Sequence, residues 1–559
     1  MTFWEHFIRL LPLRPRQALV GLYWQLTRRK IRARNCLFAA SVDLPFAYEI
    51  WIDKVEKIPE AIRQAPIAAK SWTRLPEFSI LLYTSEDFSD AEFRRSINSV
   101  KRQAYPRWRR IDGPPHALAE RIEQADGDFL VPLRIGDELS ELALFRFAEA
   151  LQDNGTAAIL YGDQDEIDVH GRRMRPWFKP RWNEELFLAH DYLSSAVAIE
   201  AVLARRLASP ALNGVPELVL LASAAANGAV VHVPHITCHV GDGTSLRPLD
   251  GRQDAIAQYL QTQGAKCASG PFQTIKVEWP LPANLPLVTI IVPTKDKLEL
   301  LRPCIESLLE RTDYDNFEIL IVDNGSIERQ TATYLAQISR NSRVRVLDYP
   351  GPYNFSAINN YAAAQAHGTF LCLLNNDTEV IEAAWLTELM RYAVRPDIAA
   401  AGPMLLYQDG TIQHAGVVIG IGDAAGHAHR FLPANSPGYF KMPHVAQFVS
   451  AVTAACLVVE KAKYEAVGGL DEKHLAVAFN DVDLCLKLQS AGWRNVYVPH
   501  AVLVHHESKS RGSDLQPQQV DRYRRELATL QDRWGTKTYQ DPLHNPNLDR
   551  YNETYVFRL

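Results

Sequence analysis

Five polar clusters in the second half of the chain hold residue types that can do chemistry, and each ends or opens an apolar run. In Val322-Asp-Asn-Gly-Ser326, Asp323 stands one residue past a strand-like segment, within reach of a ribose hydroxyl or a base. Asn375-Asn376-Asp377 closes another such segment. Asp377 there suits a divalent cation, which takes one or two carboxylates and fills its shell with phosphate oxygens and water. Asp481 and Asp483 open a helical stretch. Two positions apart on a helix, they point about 200° away from each other, so one faces a ligand while the other serves the helix. His505-His506 follows the strand-like Val502-Leu-Val504. A neutral imidazole at a strand end can ligate a metal. Adjacent extended residues point opposite ways, so at most one of the two histidines is a ligand. Lys509 and Arg511 can grip a diphosphate. The plainer alternative for each cluster is a helix cap or a turn, which the same residue types also make.

These clusters depend on the elements that present them. Val288-Thr-Ile-Ile-Val292, Phe317-Glu-Ile-Leu-Ile-Val322 and Phe370-Leu-Cys-Leu-Leu374 are continuous apolar runs, the pattern of parallel strands buried on both faces. Helical stretches separate them at about 297–311 and 356–367, with a short strand at 344–348. In such an open α/β sheet, ligands bind beyond the carboxyl ends of the strands, which is where Thr294, Asp323 and Asp377 fall. The first half repeats the rhythm. Phe78–Tyr83 matches Val288–Val292, and Asp128–Leu133 followed by Gly136-Asp-Glu138 matches Phe370–Leu374 followed by Asn375-Asn-Asp377. Between the halves, Trp279-Pro-Leu-Pro-Ala-Asn-Leu-Pro286 reads as a linker, because its prolines neither continue a helix nor sit in a central strand.

The composition sets outer limits. With 559 residues, 47% apolar and a net charge of −5, the chain is an ordinary globular one of two large or three average domains. That small charge gives no support for whole-protein nucleic-acid binding, and no nucleic-acid partner is expected. Seven scattered cysteines without a C-x-x-C pair fit a reducing compartment, and no secretory pattern opens the chain, so a cytoplasmic location is expected. The charge is unevenly spread. Residues 1–35 hold eight basic residues and one acid, a net +7, leaving −12 for the remainder. Tyr23 and Trp24 stand just before the Arg28–Arg34 cluster, a pairing that suits an anionic membrane face. The alternative is a helical appendage with solvated arginines.

In order, Val292-Pro-Thr294, Val322–Ser326, Leu374–Asp377, Phe479-Asn-Asp-Val-Asp483 and His505-His-Glu-Ser508 resemble the motifs of family 2 glycosyltransferases of the GT-A fold. Gln413-His-Ala-Gly416 and Ala451-Val-Thr-Ala-Ala-Cys456 are similar to segments of the bacterial polysaccharide and O-antigen members. The resemblance spans roughly residues 287–515. It implies an α/β fold of two tandem GT-A domains, Rossmann-like with mostly parallel sheets, behind a helical N-terminal extension. The implied boundaries are an extension over 1–75, a degenerate GT-A-like domain over 76–276, a linker over 277–287, a catalytic domain over 288–515 and a helical tail over 516–559.

The resemblance implies inverting transfer of a sugar from a nucleoside-diphosphate sugar to a hydroxyl of a growing cell-surface polysaccharide or lipid-linked glycan. Asp481 is then the catalytic base, in a pair whose first acid is replaced by Asn480. Asp377, His505 and Asn375 hold a divalent cation, Mg²⁺ or Mn²⁺, with Asn375 standing where an acid is usual. Pro293, Thr294, Asp323, Asn359, Asn360, Asn376, Lys509 and Arg511 bind the nucleotide sugar. Gln413, His414, Thr453, Asn480 and Asp483 are candidate acceptor or donor contacts. A helix N-terminus is expected to keep Asp481 ionised and weaken it as a base. The protein is expected at the inner face of the cytoplasmic membrane.

Tyr161-Gly-Asp-Gln-Asp-Glu-Ile-Asp168 and Phe178-Lys-Pro-Arg-Trp182 resemble the same family. Arg134 and Gly136 stand where acids are usual, however, and Gly214-Val-Pro-Glu-Leu218 lacks the base motif. The first domain is therefore expected to have little or no transferase activity, with Asp163, Asp165 and Lys179 structural or holding an acceptor. Two alternatives remain: a transferase with two active domains, and a non-catalytic glycan-binding scaffold.

Overall fold

A computed structural model describes residues 3–27, 29–44, 46–84, 87–114, 117–241, 252–506 and 519–558. The chain divides into two compact units. One comprises Met1–Gln263, His544–Asp549 and Val556–Leu559; the other comprises Gly264–Leu543 and Arg550–Tyr555. Of the C-terminal stretch 516–559, only Val520–Trp534 is a regular helix, and the residues after it are shared between the two units.

In the first unit, helices Phe3–Leu10, Pro15–Leu26, Lys30–Val42, Ala47–Trp51 and Ile58–Ala68 precede the sheet. Gly21 lets two of them meet closely, since a Cβ there would lie 2.4 Å from Leu37 Cδ2. The eight-stranded sheet runs Trp108–Arg110, Phe78–Tyr83, Phe129–Arg134, Val197–Glu200, Ile159–Ile167, Val230–Gly241, Glu138–Leu139, with Arg173–Trp177 paired to Ile159–Ile167.

The second unit holds a ten-stranded sheet and a hairpin, Lys266–Ser269 with Ile275–Glu278. The sheet order is Val344–Asp348, Phe317–Asp323, Val288–Thr294, Phe370–Leu374, Cys456–Glu460, Ile398–Leu406, Arg494–His505, Thr378–Val380. The first four of these strands are parallel, with Thr294 opposite Asp323. Their apolar side chains are buried on both faces, which explains the unbroken Val/Ile/Leu runs. Ile398–Leu406 pairs parallel with Arg494–His505, and the other pairings are antiparallel. Both sheets are thus mixed α/β layers with a parallel end. Ile412–His414 and Gln447–Val449 add short antiparallel edges. Among the described residues, no helix is long and apolar enough to cross a membrane.

Candidate active site

The carboxyl ends of the parallel strands collect the predicted polar residues. Thr294 and Asp323 end neighbouring strands, and Asn376 Nδ2 donates to Thr294 Oγ1 at 3.0 Å, tying the next strand end to them. Pro293 lies opposite Val322 in the same pairing. Asp323 Oδ1 accepts from both the backbone N–H (3.0 Å) and the hydroxyl (2.6 Å) of Ser326. This turn orients the carboxyl and leaves Oδ2 to a ligand. Asp296 braces the same turn. Its Oδ1 accepts from the N–H groups of Ile327 and Glu328, each at 2.8 Å.

Asp377 and His505 meet because Thr378–Val380 pairs antiparallel with the last strand, with Thr378 opposite His505. His505 Nε2 lies 3.1 Å from Asp377 Oδ1 and 3.2 Å from Asn375 Nδ2. On its other side, His505 Nδ1 lies 2.7 Å from Gln413 Oε1. An amide oxygen only accepts, so Nδ1 carries a proton toward Gln413, and Nε2 is the ring nitrogen turned toward Asp377 and Asn375. Burial would raise the Asp377 carboxyl, but the hydrogen bond and charge of His505, with the charge of His506, hold it below its ordinary value. His506 turns away, 3.6 Å from Glu379 and 2.5 Å from Gln408 Nε2.

Behind His505, His414 and His427 face each other at 2.9 Å, Nδ1 to Nδ1. Desolvation, then the neighbouring imidazoles, holds His414 well below its ordinary value. Desolvation and Arg430 push His427 down to about 3. Both rings are therefore neutral and add no positive charge beside the strand ends. A carboxylate, an imidazole with its tautomer fixed and an amide suit a divalent cation, the diphosphate and water completing its shell. Among the described residues, no group of three or more His, Cys, Asp or Glu is placed to hold a metal, so Asn375 would have to serve as the third ligand.

Asp481 stands beside this group. Asn375 N–H donates to Ala455 C=O (3.0 Å), and the adjacent Ala454 N–H donates to Asp481 Oδ2 (3.0 Å). One short stretch, Thr453-Ala454-Ala455, thus holds the cation-type residues on one side and the carboxylate on the other. Val482 N–H donates to Asp481 Oδ1 at 2.8 Å. Desolvation nevertheless raises the Asp481 carboxyl above its ordinary value, outweighing those N–H groups and the Thr453 hydroxyl. The expectation of a weakened base is thereby reversed. The helix Asn480–Ser490 contributes its N-terminus, but burial decides the sign.

Three predicted contacts are corrected. Asn360 is consumed by the fold. Its Nδ2 donates to Leu470 C=O (2.9 Å) and Glu472 Oε1 (2.7 Å), while its Oδ1 accepts from Leu470 N–H and the Tyr464 hydroxyl. Asn480 is buried, its Nδ2 donating to Ser356 Oγ (3.1 Å) and Val477 C=O (3.2 Å). Asp483 is fully buried and accepts from Arg533 (2.7 Å) and Trp534 Nε1 (3.0 Å). Each is a scaffold residue, because its polar atoms point into protein. Asn359 is also fully buried and donates to Phe355 C=O within its own helix (2.8 Å). Lys509 and Arg511 lie outside the described residues.

The first unit repeats this geometry with a silent difference. Glu138 pairs opposite His239 as Thr378 pairs opposite His505, which puts Asp137 at the position of Asp377. His239 Nδ1 is held by Asp165 Oδ1 (2.5 Å) as His505 is by Gln413. Here, however, the acids are saturated. Asp165 also accepts from the Tyr48 hydroxyl (2.7 Å) and Arg173 (2.6 Å). Asp163 accepts from Lys179 N–H, and from Asn545 through both oxygens, and lies 2.8 Å from His232 Nε2. Lys179 Nζ is buried without a hydrogen bond among the described residues, and desolvation pulls it down to about 8. The helix Val215–Ala225 opens with Val-Pro where Asn480–Ser490 opens with Asn-Asp, so Pro216 stands at the position of Asp481, and the next residue, Glu217, accepts from the Asn213 N–H. His239 was missed from sequence; its position in a paired strand was the available signal.

The second unit is thus an α/β domain with a polar site past the carboxyl ends of parallel strands, where Asp377, His505, Asn375 and Asp481 gather. Residues 289–444 match the family model described as glycosyl transferase family 2, and the chain carries a glycosyltransferase domain of that family. The chain is 39% identical over 454 residues to an uncharacterized protein, y4gI, of Sinorhizobium fredii, covering 78% of this chain and 50% of that one. It is 32% identical over 556 residues to the O-antigen biosynthesis protein RfbC of Myxococcus xanthus, covering 90% and 42%. It spans about half the length of these curated relatives or less. Among solved structures, GalNAc-T7 with UDP, GalNAc and Mn²⁺ aligns at a TM-score of 0.36 and 16% identity, covering 44% of this chain and 48% of that one.

Proposed function

We propose that the second unit is an inverting glycosyltransferase, moving a sugar from a nucleoside-diphosphate sugar to a hydroxyl of a growing cell-surface polysaccharide or lipid-linked glycan. The observation that carries this reading is the placement of Asp481 beside Asn375, Asp377 and His505 through Ala454 and Ala455. Asp481 accepts the proton of the attacking hydroxyl, and its raised affinity for protons suits a general base. Asp323 and Thr294 orient the nucleoside. Asp377, His505 and Asn375 would hold a divalent cation, which when bound neutralises charge on the departing diphosphate. The relative named for O-antigen biosynthesis supports a polysaccharide or lipid-linked acceptor. The first unit, with its acids saturated and Pro216 at the position of Asp481, is read as a degenerate partner domain.

The test is a donor screen with the full chain, Mn²⁺ or Mg²⁺ and glycan acceptors, reading released nucleoside diphosphate and glycosylated product. Release with one donor that stops on chelation and in Asp481→Ala supports the reading. Transfer that persists in both conditions overturns it.

A further inference from the structure

The second helix is amphipathic in reverse, and the first buries Leu10 but also carries large apolar side chains on its open face. In Pro15–Leu26 the buried positions are Ala18 and Gly21, while Leu19, Tyr23 and Leu26 line the open side at helical spacing. In Phe3–Leu10 and the turn after it, Trp4, Ile8 and Leu11 form the same kind of stripe. These six side chains are between 43% and 74% exposed. A helix in a soluble protein turns its large apolar side chains inward, so two outward stripes mark a face that something covers. The concentration is local. Nine of the twenty exposed large apolar side chains among the described residues lie in the first 31 positions. Cations surround them. Arg16, Arg29 and Lys30 are exposed, and the Arg29 and Arg32 guanidiniums lie 5.1 and 4.4 Å from the Trp24 ring.

We infer that this face docks on an anionic lipid bilayer, lying in the interface without crossing it. Charge complementarity selects that occupant. Residues 1–35 carry +7, which an anionic surface attracts and a second copy, meeting the same patch, repels. Outward Leu, Tyr and Trp beside Arg and Lys are the side chains that insert at the headgroup boundary while their cations contact lipid phosphates. Lipid docking is independent of the transfer reaction and stands or falls separately from it.

The experiment is co-sedimentation of the full chain with vesicles of phosphatidylcholine alone and of phosphatidylcholine with phosphatidylglycerol. Capture by the phosphatidylglycerol vesicles, weakened by added salt, is expected. Neutralising Arg16, Arg29 and Lys30 together as glutamines should weaken it about 100-fold, at about fivefold per charge. Leu19→Ser with Tyr23→Ser and Leu26→Ser should remove the binding that survives high salt. Leu26→Ser alone keeps the test open if the triple variant melts early. Equal capture by both vesicle types, no capture, or an apolar variant that binds like the parent overturns the inference. So does a self-associated parent that the apolar variant converts to monomer, which assigns the face to a second copy. Nucleoside-diphosphate release on a soluble acceptor should be unchanged in every variant.

Discussion

At Asp481, two physical effects of opposite sign meet on one carboxyl. The helix N-terminus and the N–H groups of Ala454 and Val482 favour its charge, while desolvation opposes it and prevails. A base works ionised, so activity is lost as pH falls through the raised value. The acid limb of transfer should therefore lie above that of an ordinary aspartate, which a pH profile of kcat/KM checks. The stability linkage has the opposite sense. A carboxyl whose folded value is raised contributes most when protonated, and that contribution is lost as pH rises through the folded value. At neutral pH the ionised group is a net burden on the fold. Asp481→Asn should cut transfer by about 10²–10⁴-fold and still melt at or above the parent temperature, as thermal unfolding at neutral pH would show. Gln413 makes a complementary case. By fixing the His505 tautomer it is a positioning residue, and Gln413→Ala should weaken Mn²⁺ binding about 10–100-fold. Gln413→Glu should retain binding, since the first unit already uses Asp165 in that role. Titration of Mn²⁺ without donor or acceptor reads this apart from activity.

At the scale of elements, the helix Val520–Trp534 holds the loop that leads into Asp481. Buried Glu526 accepts from the N–H groups of Val477 (3.1 Å) and Ala478 (2.9 Å), and Arg533 bridges Asp471 and Asp483, each at 2.7 Å. Between these anchors, Phe479 is in the left-handed region at φ 61°, a conformation a bulky residue keeps only when its surroundings impose it. Glu526→Ala strands two half-buried N–H groups and should cost about 1–2 kcal/mol, with transfer falling as Asp481 loses its seat and Mn²⁺ binding spared. Denaturant unfolding with nucleoside-diphosphate release checks both halves, and Glu526→Gln should be milder. None of this was legible in the sequence, where the helix read only as a tail, because its value lies entirely in tertiary contacts. The parallel strands were legible, since burial on both faces leaves an unbroken apolar run. Three-residue edges such as Ile412–His414 have no period to read, so Gln413 looked like a ligand contact when its partner is His505. Asn360 and Asn480 misled for a related reason. An amide that ties a loop and an amide that faces a ligand have the same composition and differ only in what surrounds them.

At the scale of the molecule, the chain carries two sheets with the same strand pairing around a strand-end acid and histidine, and they differ in the side chains that surround that pair. In the first unit, Asp163 and Asp165 are spent on Arg173, Tyr48, Asn545 and the neighbouring imidazoles, and the helix that corresponds to Asn480–Ser490 opens with Val215-Pro216, its Glu217 accepting from the Asn213 N–H. Asp137 survives at the cation position, with burial pushing it up to about 6 and Gly241 N–H donating to it at 3.0 Å. Burial disfavours the charged form of this carboxyl, which weakens it as a ligand to a cation. The product pattern should therefore depend on one unit alone. Mass analysis of the glycosylated acceptor should show every sugar addition lost in Asp481→Ala. In Asp137→Ala the same products should form at parental rates, with a stability loss of about 1 kcal/mol for the stranded Gly241 N–H. If Asp137→Ala instead removes one of two successive additions, both sheets catalyse and the saturated acids of the first unit must open in the presence of its donor.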